Sequence, residues 1–396
     1  MDKSTLRAGV IGSYARVDSA NLPTSTVLAR TTQNLGNMMF RYATCRDLGD
    51  YRELDTKMDP GAVREQADII VLPMANNINP SFNMGYLATF IERCNLPVLA
   101  VGLGAQAKLG GGLSEPLPAG SKRFLDVLSE RSVAIGVRGP FTAQVLADHG
   151  VDNVVVTGCP SNFINPDEQL GKRLSEGFVR ARENTPRRVA VYSQLGRKNF
   201  DSPNIESERH LFSLVRKHGY HYVHTFPSEL IDFVRGGDEV TARWIASLES
   251  RLMPNTSEPE FAAKFREQSH AFLQVESWME FSRSCDMSIG KRVHGCLNTI
   301  QAGTPGVLVY HDERTRELAE TLALPRVNVE DIHVDDDLAV MLEKTSFSDV
   351  DYDLRRRELH GRYDKLFTES GLSNVNPLFR RREKRREPTS FLEAAA

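Results

Sequence analysis

Short apolar runs alternate with amphipathic helical patterns along most of the chain. In the first half, five runs of strand length consist mainly of valine, isoleucine and leucine: 6–13, 67–73, 97–106, 133–139 and 153–160. Near-continuous apolar runs are typical of parallel strands that are covered on both faces. Helical spacing is found in four segments: 34–48, 82–95, 119–132 and 140–149. This alternation predicts parallel α/β units.

The alternation restarts after a charged segment that follows residue 164 and that we expect to link two lobes. Strands are predicted at 188–194, 220–226, 287–292, 306–311 and 327–332, and helices at 207–218, 238–252, 258–284, 294–302, 313–323 and 336–345. The sequence therefore predicts an α/β protein with two Rossmann-like lobes and a cleft between them. The expected domains are 1–165, 166–350 and a C-terminal part, 351–396, in which a polar helix packs across the lobes.

Composition excludes several classes of partner. The chain has 396 residues and a net charge of -3, so no overall field attracts nucleic acid. The five cysteines show neither a CxxC motif nor a metal-ligand spacing, which suits a reducing compartment. No apolar run approaches the roughly 20 residues of a membrane span. We therefore expect a cytoplasmic protein without a metal site.

A basic run from Arg380 to Arg386 marks the C-terminal tail. We expect it to be solvated. The alternative is contact with acidic phospholipid, which would place the protein peripherally at the inner face of the membrane.

Candidate chemistry was sought at the carboxyl ends of the predicted strands, where ligands bind in open parallel sheets. Arg138 ends one strand, directly before a helix that starts with Gly139 and Pro140. Arg292 and His294 end another strand, directly before a helix. Guanidinium groups beside helix N-termini are suited to carboxylate or phosphate, and an imidazole there can move a proton. The alternative for each cation is an internal salt bridge.

Other polar residues and glycines at strand ends are candidate substrate ligands: Asn34, Gly36, Asn37, Asn76, Gly104, Gln106, Lys291 and Asp312. For the asparagines the alternatives are helix caps and turns. For Asp312 the alternative is a cap of the following helix. The segment from Gly104 to Gly112 is glycine-rich and predicts a mobile loop over the cleft. A P-loop, an HExxH motif and a GxSxG elbow are all absent from the sequence.

Three stretches together resemble the polysaccharide pyruvyl transferase family. The segment "MSIGKRVHGCLNTIQAGTPGVLVYHDER" is similar to its C-terminal pattern of strand, R-[LV]-H, helix, G-x-P and strand. "IGVRGPFTAQVLADHGVDNVVVTGCP" is similar to its central segment, and "NLGNMMFRYA" to its N-terminal motif. The resemblance covers about residues 30–325, with the pieces in the family's order.

The resemblance implies a GT-B-like fold with the acceptor on the first lobe and the donor on the second. It implies transfer of a pyruvyl group from phosphoenolpyruvate to a sugar, free or lipid-linked, without a cofactor. The family's donor-binding arginines fall on Arg138 and Arg292, and its histidine falls on His294. "NLGN" departs from the commoner ending in Asp. "NLGNMMFRYA" is also similar to a stretch of some fucosyltransferases. A nucleotide-sugar glycosyltransferase and an inactive sugar-binding homologue are therefore the alternatives.

Overall fold

Two parallel six-stranded sheets form the framework of the protein. The computed structural model describes residues 6–12, 21–195, 205–237, 241–376 and 378. The first sheet contains β1 to β6, in chain order Ala8–Val10, Arg52–Glu53, Ile69–Pro73, Val98–Leu103, Ile135–Val137 and Val154–Val156. Helices α1 to α6 surround it, in chain order Thr24–Arg30, Asn37–Leu48, Pro60–Gln66, Gly85–Cys94, Ala119–Arg131 and Pro140–Ala147.

The second lobe repeats this plan. Its sheet contains β7 to β12: Val189–Tyr192, His221–Val223, Ser269–His270, Met287–Gly290, Gly306–Tyr310 and Arg326–Asn328. Its helices α7 to α15 are Leu170–Glu183, Ile205–His218, Ser228–Val234, Ala242–Leu252, Phe261–Gln268, Val275–Arg283, Val293–Gln301, Glu313–Thr321 and Leu338–Glu343. The final helix, α16, runs over Asp349–Glu369.

Burial of the central strands explains the apolar runs. Every residue of β3, β4, β7 and β10 is buried, because helices cover both faces of each sheet. The two lobes and their parallel sheets confirm the predicted α/β class, and the arrangement is GT-B-like.

Each sheet has one point at which its strand order reverses. The first sheet runs β2-β1-β3-β4-β5-β6, so β1 and β3 are neighbours although β2 lies between them in sequence. The second runs β12-β11-β10-β7-β8-β9, which places β10 beside β7. Loops that leave such neighbouring strands diverge and open a crevice at their carboxyl ends. The topology therefore indicates one ligand crevice at the end of β1 and β3 and another at the end of β7 and β10.

Helix α16 contacts both lobes. It packs against α7 of the second lobe, and against β6 and the short 3-10 helix Pro160–Phe163 of the first. Its buried Arg356 donates hydrogen bonds to the carbonyl oxygens of Asn162, Asn165 and Asp167. These contacts show where α16 lies, but they do not test the predicted domain limits at residues 165 and 350, which stay a prediction.

Several local predictions differ from the structure. The single helix predicted over 258–284 is two helices, α11 and α12, separated by the edge strand β9. The expected linker contains helix α7, and the sequence pattern missed α1, α3 and α9, each of seven residues. Ser13, residues 238–240 and the basic run from Arg380 to Arg386 lie outside the described residues. No described helix combines the length and apolar character needed to cross a membrane.

Candidate functional site

Arg138 is a buried cation that lacks a carboxylate partner in the described part of the chain. It follows β5, and it is 2% exposed. Its Nε donates to the carbonyl oxygen of Gly102 at 2.9 Å, while its buried Nη2 has no hydrogen-bond partner among the described residues. Burial lowers the pKa of Arg138, and repulsion from Arg314 lowers it further. Such a group has donors to spare for an anionic ligand.

Arg292 lies at the second crevice. It is the N-cap residue of α13, two residues after the end of β10, and its Nε donates to the carbonyl oxygen of Ser193 at 2.8 Å. That bond ties Arg292 to the end of β7, the strand next to β10. The guanidinium lies 5.6 Å from the ring centroid of Phe226. Burial and repulsion from Arg314 lower the pKa of Arg292 to about 10.

Arg314 is a third guanidinium that the sequence analysis did not single out. It lies in the first turn of α14, and its Nη2 is 3.4 Å from a carboxylate oxygen of Asp312. Its Nε is buried without a hydrogen-bond partner among the described residues. The available signal in the sequence is a cation three residues after an apolar run.

The three arginines line one small pocket of about 40 Å³. The rest of the lining is Asn34, Gly36, Thr225, Lys291, Val293, His294 and Gly295. Carboxylates are absent from this lining, and the first turn of α13 contributes three residues to it. A helix N-terminus with converging guanidinium groups is an anion-binding arrangement. The structure thus brings together Arg138 from the first lobe with Arg292 and His294 from the second.

His294 is neutral in the absence of a ligand. Burial, followed by repulsion from Arg138 and Arg314, holds its pKa well below its usual range. Its Nε2 lies 3.7 Å from the Cys159 thiol sulfur, and its ring centroid lies 5.4 Å from that of Phe40. The imidazole is therefore positioned in the pocket and is free of a carboxylate that would hold it protonated.

A larger groove of about 650 Å³ adjoins the anion pocket and shares Asn34, Arg292 and Arg314 with it. The residues after β1 and β3 form part of its wall, as expected for the crevice of the first sheet. Asn37 and Asn76 also line the groove. Asn37 donates to Thr31 and Thr32, and the Asn34 side chain accepts from the Gly36 backbone N–H at 2.9 Å. These asparagines thus line the groove and stabilise the turn before α2, whose start has no side-chain cap.

Three predicted substrate ligands form a polar chain from one lobe to the other. Asn76 donates to the Gln106 oxygen at 3.1 Å, and Gln106 donates to Asp312 at 3.0 Å. Asp312 also caps α14 through the backbone N–H of Thr315. Burial opposes ionisation of Asp312, but Arg314, His311 and these hydrogen bonds outweigh it and hold its pKa far below the usual range. Asp312 is therefore ionised and is no proton donor at neutral pH.

The loop from Gly104 to Gly112 contacts the second lobe. The Gly110 N–H donates to Glu313 at 3.0 Å, and the Glu313 N–H donates to the Ala107 carbonyl oxygen at 3.2 Å. Gly104 leaves room for the Arg138 side chain, because a Cβ at position 104 would lie 2.8 Å from the Arg138 Cδ.

Lys291 lines the anion pocket, but its ammonium group is engaged elsewhere. Its Nζ donates to Ser207 at 3.0 Å and lies 3.5 Å from Glu208. Burial lowers the pKa of Lys291 while Glu208 opposes this shift. The charge of Lys291 is therefore compensated by Glu208, in contrast to that of Arg138.

The N-terminus of α6 differs from the sequence-based expectation of free N–H groups beside Arg138. Glu317 of the second lobe accepts hydrogen bonds from the Thr142 N–H at 2.6 Å and from the Thr142 hydroxyl at 2.9 Å. Gly139 permits this approach, because a Cβ at that position would collide with Glu317. The Glu317 carboxylate therefore occupies the start of α6, whereas the start of α13 lines the anion pocket.

Comparison with known proteins decides the family. The model of the family described as polysaccharide pyruvyl transferase matches residues 33–313. The chain belongs to the polysaccharide pyruvyl transferase family. This confirms the resemblance found in the sequence, and it supports a transferase of polysaccharide biosynthesis. A search of curated proteins gave no match.

Solved structures similar to this pyruvyl transferase family member share little sequence with it. Anabaena Alr3699/HepE in complex with UDP is 8% identical, with 92% of this chain and 97% of that chain covered and a TM-score of 0.45. The UDP-GlcNAc 2-epimerase of Methanocaldococcus jannaschii is 9% identical, with 89% and 98% covered and a TM-score of 0.42. The putative UDP-N-acetylglucosamine 2-epimerase of Listeria monocytogenes is 12% identical, with 94% and 91% covered and a TM-score of 0.38.

Proposed function

We propose that this family member transfers the pyruvyl group of phosphoenolpyruvate to a sugar and forms a pyruvate ketal. The observation that carries the proposal is the pocket in which Arg138, Arg292 and Arg314 converge from both lobes without a carboxylate among the lining residues. Phosphoenolpyruvate has a carboxylate and a phosphate, and several guanidinium groups are needed to compensate both. The start of α13 adds its partial positive charge.

The size of the pocket supports a specific placement of the donor. About 40 Å³ is room for a few water-sized groups, which suits one anionic group but not the entire donor. Arg292 and Arg314 line both the pocket and the groove. We therefore place one anionic group in the pocket, with the reacting carbon atoms at its mouth and the sugar in the groove.

The proposed reaction has two additions at C2 of the donor. A proton is added to the methylene carbon, and the oxygen of a sugar hydroxyl bonds to C2. The C2–O bond to phosphate then breaks, with phosphate taking the electron pair, and a second hydroxyl oxygen bonds to C2. The two hydroxyl protons balance the one gained by the methyl group and the one carried by the released phosphate.

His294 is the candidate for the proton transfer at the methylene carbon. It is neutral in the free protein because burial, followed by repulsion from Arg138 and Arg314, lowers its pKa. A bound anion offsets these charges, so we expect donor binding to raise the pKa of His294 and to load it with a proton. Thr225, Gly36 and Asn34 carry no acidic group. The Lys291 ammonium group is engaged with Ser207 and Glu208.

Donor binding is therefore expected to be coupled to proton uptake. The wild type should take up more protons per bound phosphoenolpyruvate than His294→Asn. Its affinity for phosphoenolpyruvate should also rise more steeply as the pH falls toward the lowered pKa of His294 in the free protein. Calorimetry in two buffers of different ionisation enthalpy measures this difference. Subtracting the proton uptake measured with the variant removes the contribution of the donor phosphate. Equal uptake by both proteins would remove His294 as the proton carrier.

Gly104→Ala is expected to weaken donor binding by displacing Arg138. The new Cβ would lie 2.8 Å from the Arg138 Cδ, and correcting such a contact shifts the buried guanidinium. We expect the dissociation constant to rise about tenfold, which corresponds to about 1.4 kcal/mol. Gly112→Ala is the matched control, because a Cβ at Gly112 meets no atom within 4 Å. Equal donor affinity in both variants would show that Arg138 does not contact the donor.

The overall proposal is tested by mass spectrometry of saccharides after incubation with the protein and phosphoenolpyruvate. The expected product carries an added pyruvyl group, with release of phosphate in equal amount. Release of a nucleoside diphosphate from a nucleotide sugar, with no pyruvylated product, would favour glycosyl transfer and overturn the proposal.

A further inference from the structure

Two exposed aromatic side chains border the groove beyond the anion pocket. Phe82 is 45% exposed and Tyr86 is 61% exposed, and both belong to the lining of the groove but not to that of the pocket. Large aromatic side chains are usually buried, so their exposure beside a proposed substrate crevice calls for a ligand-based explanation. Both lie between β3 and the second turn of α4.

The segment that carries these rings is well anchored. The Ser121 hydroxyl donates to the carbonyl oxygen of Phe82 at 2.6 Å and accepts from the Met84 N–H at 3.1 Å. Asn83 accepts from the Gly85 N–H at 3.0 Å, where α4 begins. The backbone that carries the two rings is thus preformed, and a ligand would not have to order it.

The charge of the groove restricts the chemistry of its ligand. Arg292 and Arg314 are the only ionisable lysine, arginine, aspartate or glutamate residues among its described lining residues, and both also line the anion pocket. The remaining polar lining consists of amide and hydroxyl side chains: Thr32, Gln33, Asn34, Asn37, Thr56, Asn76, Asn77, Ser81, Asn83 and Tyr86. Amides and hydroxyls suit a ligand rich in hydroxyl groups, and aromatic faces suit its C–H surfaces. A neutral saccharide has both properties.

We propose that the acceptor is a saccharide of at least two residues, and that the residue next to the modified sugar stacks on Tyr86 and Phe82. This inference rests on the proposed function, since it takes the modified sugar to lie where the groove meets the anion pocket. The groove, at about 650 Å³, has the volume of a site for a ligand larger than the donor. The aromatic rim would then select for chain length, while the amides hold individual hydroxyl groups.

Saturation-transfer NMR and transfer kinetics test the proposal with defined probes. The probes are the methyl glycosides of galactose, glucose and mannose, with di- and trisaccharides that end in the same sugars. Tyr86→Ala is expected to raise KM for the di- and trisaccharides about tenfold and to leave KM for the matching monosaccharide unchanged. Tyr86→Trp should retain the preference, and Val133→Ala is the control for an exposed apolar residue outside the groove.

The outcomes separate this inference from the proposed function. Equal KM for mono- and oligosaccharides in the wild type would overturn the aromatic subsite and leave pyruvyl transfer intact. Binding of oligosaccharides through Tyr86 in the NMR experiment, without any transfer from phosphoenolpyruvate, would support the subsite and overturn the transfer. Oligosaccharide binding that Tyr86→Ala does not weaken would also overturn the subsite.

Discussion

Arg138→Met is expected to weaken binding of phosphoenolpyruvate strongly and to stabilise the unliganded protein. The guanidinium is buried without a carboxylate partner among the described residues, so methionine removes a desolvated charge from the interior. Replacement of buried charges by apolar side chains of similar volume often stabilises by about 1–4 kcal/mol. Loss of the hydrogen bond to Gly102 costs about 1 kcal/mol and reduces this gain. Loss of a charged contact to the donor weakens affinity by about 2–5 kcal/mol.

Denaturant unfolding with and without phosphoenolpyruvate measures both effects of Arg138→Met. The wild type should be stabilised by about 2.7 kcal/mol when the donor is present at 100 times its dissociation constant, and the variant should gain less than about 1 kcal/mol at the same donor concentration. Arg283→Met is the control, because Arg283 is exposed and paired with Glu280. A destabilised variant that still binds the donor would show that Arg138 has a structural role, whereas a wild type that does not respond to the donor would favour the inactive homologue.

His294→Asn is expected to lower kcat by about 10²–10⁴, the usual contribution of a positioned acid or base. The donor affinity should change less than kcat, because Arg138, Arg292 and Arg314 still line the pocket. Turnover in deuterated water provides a second measurement, since the wild type should place deuterium in the ketal methyl group. His218→Asn, at an exposed position, is the control.

Two results would contradict this role of His294. Full turnover by His294→Asn would assign the proton transfer to another group. A ketal methyl group without deuterium would remove the protonation step itself.

The apolar runs were sufficient to predict the sheets, because strands buried on both faces leave little choice of residue. They were not sufficient for two edge strands of two residues each, β2 in the first sheet and β9 in the second. Ser269–His270 pairs with β8 as strand β9, and this pairing interrupts a helical pattern that continues through 258–284 in sequence. Helix α3 has a start signal in the sequence, since Asp59 caps it and Pro60 occupies its first position. The helix was nevertheless missed, because seven residues span only about two turns, too few to show a clear periodicity of apolar residues.

The anion pocket was predictable in part. Arg138, Arg292 and His294 follow apolar runs, and parallel strands bring their carboxyl ends to one edge. The strand order that puts β10 beside β7 depends on tertiary pairing, and so does the contact between Arg292 and Ser193. Glu317 and Thr142 are far apart in sequence, so no local pattern indicates that one caps the helix of the other. The sequence does not distinguish Phe82 and Tyr86 from core residues, and only the structure shows that they are exposed.

The bond from Glu317 to the start of α6 has a consequence for protein engineering. Chimaeras that take one half from this chain and the other half from a relative would combine a helix start from one parent with a carboxylate from the other. A bulkier residue in place of Gly139 would collide with the Glu317 side chain. A shorter side chain in place of Glu317 would leave the Thr142 N–H at the start of α6 without its hydrogen-bond acceptor. Successful shuffling of acceptor range should therefore transplant Gly139, Thr142 and Glu317 as one unit.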